Sequence, residues 1–184
     1  MRIRSNLSLG QGALAGALLI AVTAAAAPAD AQPAKDPPPY DSQWLQQSIA
    51  GDHFEIQAAK LAVKRSHNGH LGALAGRLLS DHAKSLKEAT ALARRLGVPV
   101  KAAPLPTMQW VLGTLQAEPN DDQLAQQYVR FEIAAHNQAI VEAGREIENG
   151  ANADAKALAD KESIMLSKHL RLARHTLRTL PAHG

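Results

Sequence analysis

The chain is expected to fold as an all-α protein, an antiparallel four-helix bundle with a long connection between its second and third long helices. Three observations predict this. No proline falls between Pro39 and Pro99 or between Pro119 and Pro181, so two long windows are free of the residue that breaks helix interiors. Leu, Ala, Lys, Glu, Gln and Arg dominate both windows, and no stretch alternates apolar and polar residues as a strand would. Each window divides once at turn residues, Ser66-His67-Asn68-Gly69 and Asn149-Gly150-Ala151-Asn152.

Ahead of the helices, Arg2 and Arg4 precede an uncharged apolar run from Gly12 to Ala27, and Ala29-Asp30-Ala31 supplies small residues for a signal peptidase. Residues 1–31 are therefore expected to be a secretory signal cleaved before Gln32, which leaves a soluble periplasmic or secreted product. The run is shorter than the roughly 20 residues of a spanning helix, and no later run could cross a bilayer. Residues 32–40 (QPAKDPPPY) read as an extended, proline-rich spacer.

The domain proper is expected from Asp41 to Leu180, with long helices over about Ser42–Arg65, Gly69–Leu96, Asp121–Glu148 and Ala153–Thr179. Asp41, Asn68 and Asn152 are candidate N-caps, and Asn120 with Gln123 resembles a capping box. Gly97 and Gly150 stand where left-handed C-caps belong. Short turns make each pair a hairpin. Between the pairs, Gly97 to Asn120 carries four prolines, and Thr107–Gln116 within it can form a short helix burying Trp110, Val111 and Leu115. This connection is long enough to run the length of a helix of about 42 Å, so a crossover is feasible beside a simple up-down bundle.

One pattern repeats in the helical register. The second long helix has a stripe Leu71, Ala75, Leu78, His82, Ser85, Ala89, Leu92, Leu96, with His82 at its centre. Glu132 and His136 occupy the corresponding place on the third, Glu162 and His169 on the fourth, and Glu55 on the first. Mid-length positions share a layer in an antiparallel bundle, so Glu55, His82, Glu132, His136, Glu162 and His169 are expected to cluster. Carboxylates and imidazoles are the ligands that divalent transition metals accept in cysteine-free sites, and this set suits Fe, Mn, Zn or Cu(II) rather than Cu(I). His82, His136, His169 and Glu55 would form the four-ligand set, with Glu132 or Glu162 as a fifth ligand or an orienting group. Asp81, about 100° round the helix from His82, is expected to meet a neighbouring helix. The spacing departs from the Glu-x-x-His of the standard di-iron bundle: Glu132 and His136 are i, i+4, and Glu162 and His169 are i, i+7. The alternative is a self-satisfied polar network, since Glu–His pairs neutralise one another.

The segments GDHFEIQAAKLAVKRS, LAGRLLSDHAKSLKEATALARRLGV and YVRFEIAAHNQAI, with Asp81-His82 followed by His136 and His169, resemble a family of secreted bacterial proteins of unknown function. Its members are often labelled predicted outer-membrane proteins. The likeness runs from about Asp41 to Leu180; LADKESIMLSKHLRLA matches less completely, because the family often has proline where Ile164 stands. The resemblance implies a ferritin-like bundle in the cell envelope and no particular activity. The outer-membrane label conflicts with the sequence, which has no barrel strands and no cysteine for a lipid anchor.

Absence of cysteine also excludes disulfides, thiolate metal sites and Cys nucleophiles. A formal charge of +3 gives no case for nucleic acid. Arg171, Arg174, His175 and Arg178 form a basic stripe, read as a solvated face that could also touch an anionic envelope surface weakly. Trp44 and Trp110 are expected in the core, and His67, His70 and His183 at the surface. No phosphate-binding, dinucleotide or hydrolase motif is present. The sequence thus leads to an exported, non-enzymatic envelope protein whose buried His/Glu cluster serves stability or a response to pH. The alternative is a metal-binding ferritin-like protein with a redox role.

Overall fold

The structure, a computed structural model, describes residues 38–101 and 103–181. The expected signal segment and residues 32–37 of the spacer lie outside the described residues. Five helices are described: α1 (Pro39–Arg65), α2 (Gly69–Arg95), α3 (Pro106–Ala117), α4 (Asp121–Asn149) and α5 (Ala153–Thr179), with no strand among the described residues.

The long helices end within two or three residues of their expected bounds, and the caps explain most of them. Asn68 accepts from the amides of His70 and Leu71, Asn152 from those of Asp154 and Ala155, and Asn120 from that of Gln123. The reciprocal half of the Asn120 box is supplied by Glu118, which accepts from the Asn120 amide. Two expectations at the ends are corrected. Asp41 does not cap α1, which starts at Pro39, inside the expected spacer; proline suits a first turn that needs no N–H. The Asp41 carboxylate instead accepts from the amides of Ala151 (3.2 Å) and Asn152 (2.8 Å), tying the start of α1 to the α4–α5 turn. Gly97 has the expected left-handed backbone (φ 71°), but Gly150 has φ −61°. Gly150 answers to close approach: a Cβ there would lie 2.6 Å from the Glu146 carbonyl oxygen.

α1 packs against α2 and α4, and α5 packs against α4 and α2. Arg65, ending α1, bonds Asp121 at the start of α4 (2.6 Å), and Arg95, ending α2, bonds Asp154 at the start of α5 (2.6 Å). Every neighbouring pair is thus antiparallel and α2 and α4 lie diagonally, running parallel. The connection from α2 to α4 crosses the full length of the bundle, which decides for the crossover. Within it α3 lies on α1 and touches α4, burying Leu112 and Leu115. Trp110, expected inside, is 73% exposed. Met108, Val111, Leu112 and Leu115 form the inward stripe at helical spacing, and Trp110 lies on the opposite side of so short a helix. Trp44 is buried as expected.

The apolar core falls into two parts. One gathers Phe54, Leu71, Leu74, Leu78, Tyr128 and Val129 with small residues; the other gathers Trp44, Leu45, Ile49, Leu92 and Ala159. Between them, across the middle of the bundle, lies a polar layer. A bundle of this size ordinarily keeps one continuous core, so this layer is where apolar burial is forgone.

Candidate metal centre

All six expected residues are buried: Glu132 is 0% exposed, His136 1%, His169 2%, His82 3%, Glu55 6% and Glu162 8%. They do not converge equally. Donor atoms of His82, His136 and His169, one histidine from each of α2, α4 and α5, lie within 4.8 Å of one another. Those of Glu55, Glu132 and His136 form a second such group. Glu162 belongs to neither; its oxygens accept from Ser48 (3.0 and 3.1 Å) and Ser85 (3.1 Å).

The outer nitrogen of each imidazole is committed. His82 Nδ1 donates to Asp52 Oδ1 at 2.7 Å, His136 Nδ1 to the Glu132 carbonyl at 2.9 Å, and His169 Nε2 to Asp81 Oδ2 at 2.9 Å. Asp81 is itself fixed by Arg77 at 2.5 Å and meets the neighbouring helix α5, as its place on the wheel suggested. The inner nitrogens therefore carry lone pairs when the rings are neutral. His136 Nε2 and His169 Nδ1 face each other at 3.2 Å with no proton to share, and His82 Nε2 has no partner among the described residues. An imidazole whose far N–H is held by a carboxylate or carbonyl is oriented and made more basic toward a metal.

The electrostatics keep protons away from two of the three rings. Burial, with the neighbouring imidazoles, pushes His136 down to about 3. Burial likewise takes His169 down to about 4, against the pull of Asp81. At His82 burial also opposes the cation, but it is outweighed by the Asp52 bond and the charges of Glu55 and Asp52, so its pKa is held above the usual histidine value. Beside the rings, burial pushes Glu132 up to about 7 and Glu55 well above the carboxylate range, Glu55 also feeling the Glu132 charge. Neither Glu132 oxygen nor Glu55 Oε2 makes a well-formed hydrogen bond among the described residues, although Glu132 Oε2 lies 3.4 Å from His136 Nδ1 and the Glu55 and Tyr128 side chains pull the Glu132 pKa down against its burial. Two buried carboxyls thus stand beside three convergent imidazoles, and a cation bound among them would compete with the protons that His82, Glu55 and Glu132 hold.

Asp52 was not singled out in the sequence. It precedes Glu55 by three residues, which on a helix places it on the same face, and that spacing was the available signal. Tyr128, one turn before Glu132 with its hydroxyl buried, was likewise missed.

Two solved structures share this fold. The crystal structure of a DUF305 fragment from Deinococcus radiodurans is similar with a TM-score of 0.70 and 18% identity, covering 79% of this chain and 100% of the fragment. CopM in its Cu(I)-bound form is similar with a TM-score of 0.64 and 17% identity, covering 77% of this chain and 98% of CopM. Among curated proteins nothing matches. Residues 23–176 match the family described as a domain of unknown function, DUF4142, and the chain belongs to that family.

Proposed function

We propose that this protein binds one transition-metal ion between α2, α4 and α5 through His82 Nε2, His136 Nε2 and His169 Nδ1, with Glu55 and Glu132 as the adjacent carboxylates. The observation that carries this reading is the convergence of three buried imidazoles whose ligand atoms lie within 4.8 Å of one another, with His136 Nε2 and His169 Nδ1 facing at 3.2 Å. With the far nitrogen of each ring donating to Asp52, the Glu132 carbonyl or Asp81, the inner nitrogens of the neutral rings are left as lone pairs that a cation would satisfy together. Imidazole nitrogen suits Zn, Cu, Fe and Ni, and the chain has no cysteine to bias the site toward softer ions. A bundle of the same fold is known with Cu(I) bound, which makes copper the first ion to test. The reading is a binding protein for metal handling. The basic start, apolar run and Ala29-Asp30-Ala31 support a working place outside the cytoplasm.

Isothermal titration of metal-free protein with Cu(II), Zn(II) and Co(II) tests it. One-to-one uptake is expected, and His136→Ala should weaken it by at least about tenfold. His175→Ala, exposed on α5, should leave it unchanged. Equal effects from the two substitutions would reduce the binding to superficial capture by surface histidines.

A further inference from the structure

A cavity of about 310 Å³ lies between α1 and α4, with His82, His136 and Glu55 in its lining. Trp44, Phe54, Phe131 and Met165 supply apolar walls, and the exposed side chains of Gln47 and Gln138 mark where it reaches solvent. That volume is at the lower end of small-molecule pockets, about 300–1,000 Å³, and fits a small donor group carrying one further ring.

The cavity exists because residues facing it are small. Gly51 on α1 and Ala135 and Ala139 on α4 line it. Gly51 has no packing reason to be glycine: a Cβ built there meets nothing within 4 Å, and its backbone is ordinary helix. Glycine in a helix interior costs about 1 kcal/mol relative to alanine. Stability alone would favour a side chain there, and any side chain would shrink the space in front of the metal ligands.

Glu55 and Glu132 converge with His136 in a separate group, so three imidazoles alone leave a metal with a free coordination position, the pattern of sites that take an exogenous ligand rather than of closed structural sites. We propose that the α1–α4 cavity admits a small Lewis base with an apolar, single-ring body, whose donor atom completes the coordination of the ion held by His82, His136 and His169. The aromatic walls would hold the ring and the imidazole floor would present the metal to the donor. This rests on the metal reading above, and the experiment separates the two.

The probes are imidazole and 4-phenylimidazole, added to the full chain loaded with Co(II) and followed by its visible absorption. Both should shift the cobalt bands, and 4-phenylimidazole should bind about tenfold tighter because its second ring is buried against apolar walls. Gly51→Leu and Ala139→Leu should each weaken 4-phenylimidazole about tenfold while Co(II) affinity stays within about twofold. Gly51→Ala, which fills little of the space, should melt higher than the parent and keep ligand binding, showing that the position tolerates a side chain. Cobalt uptake with no spectral response to either base overturns the ligand proposal and leaves the metal centre standing. Binding of 4-phenylimidazole by both leucine variants as tightly as by the parent overturns it equally. Failure to take up cobalt, zinc or copper overturns the metal centre, and the ligand proposal with it.

Discussion

Asp52 acts on the cluster without belonging to either converging group. Its side chain, in a residue 4% exposed, accepts a hydrogen bond from His82 Nδ1 at 2.7 Å and so turns Nε2 toward the other two rings. Orienting partners of this kind are ordinarily worth about 10–100-fold in metal affinity. Asp52→Asn keeps the size but offers a weaker acceptor and permits the wrong tautomer, so it should weaken Cu(II) binding by about tenfold in calorimetry. Ser48→Ala, whose hydroxyl bonds Glu162 and none of the three rings, should change it less than twofold by the same reasoning. If the two variants are indistinguishable, Asp52 serves packing and not the ring. At this scale the sequence was legible where helical register alone decides burial, as at His82, His136 and His169. It was silent where a partner comes from another helix. Nothing in a single chain tells which carboxylate, Asp52 or Asp81, will meet which imidazole, because rotamers and inter-helix offsets make that choice.

Among the elements, the α4–α5 turn carries a second buried acid pair that the sequence stripes passed over. Asp41 and Glu146 are both fully buried, and Asp41 is occupied by two turn amides. Burial, then the Asp41 charge, pushes the Glu146 carboxyl up to about 7, with Lys156 pulling the other way. Its folded pKa stands above the ordinary 4.5, so between those values the folded chain holds a proton the unfolded chain has lost. The stabilising contribution is complete below about pH 4.5 and is lost as the pH rises through about 7. Glu146→Gln mimics the protonated acid and removes that dependence. Thermal melts should show the variant close to the parent at pH 5 and more stable at pH 8, by on the order of 1–3 kcal/mol. A difference that does not change with pH would mean the carboxyl is already ionised in the fold. The pair escaped notice because Asp41 looked like an N-cap: its local sequence context is right for one, and only the returning α4–α5 turn gives it better donors. Trp110 was misplaced for a related reason, since a 12-residue helix has two plausible apolar faces and the surface it lands on selects between them.

For the molecule as a whole, proline spacing, turn residues and helical periodicity were enough to lay out four long helices. The crossover needed more: the length of the connection permits it, but the pairing of Arg65 with Asp121 and of Arg95 with Asp154 is what rules out the up-down path. In that arrangement the two halves of the apolar core meet through the layer of histidines and carboxyls, where His82 Nε2, Glu55 Oε2 and both Glu132 oxygens are buried without a hydrogen bond. Such groups cost stability in the metal-free chain, and an ion that binds only the folded state returns it. With free Cu(II) or Zn(II) at about a hundred times the dissociation constant, linkage supplies about 2.7 kcal/mol. For a domain of this size that is a rise of roughly 5–12 °C in melting temperature. The rise should vanish in the His82→Ala, His136→Ala double variant and survive His67→Ala and His175→Ala, whose rings lie at the surface. An equal rise in parent and double variant would place the stabilising ion elsewhere and leave the layer as a structural interruption of the core.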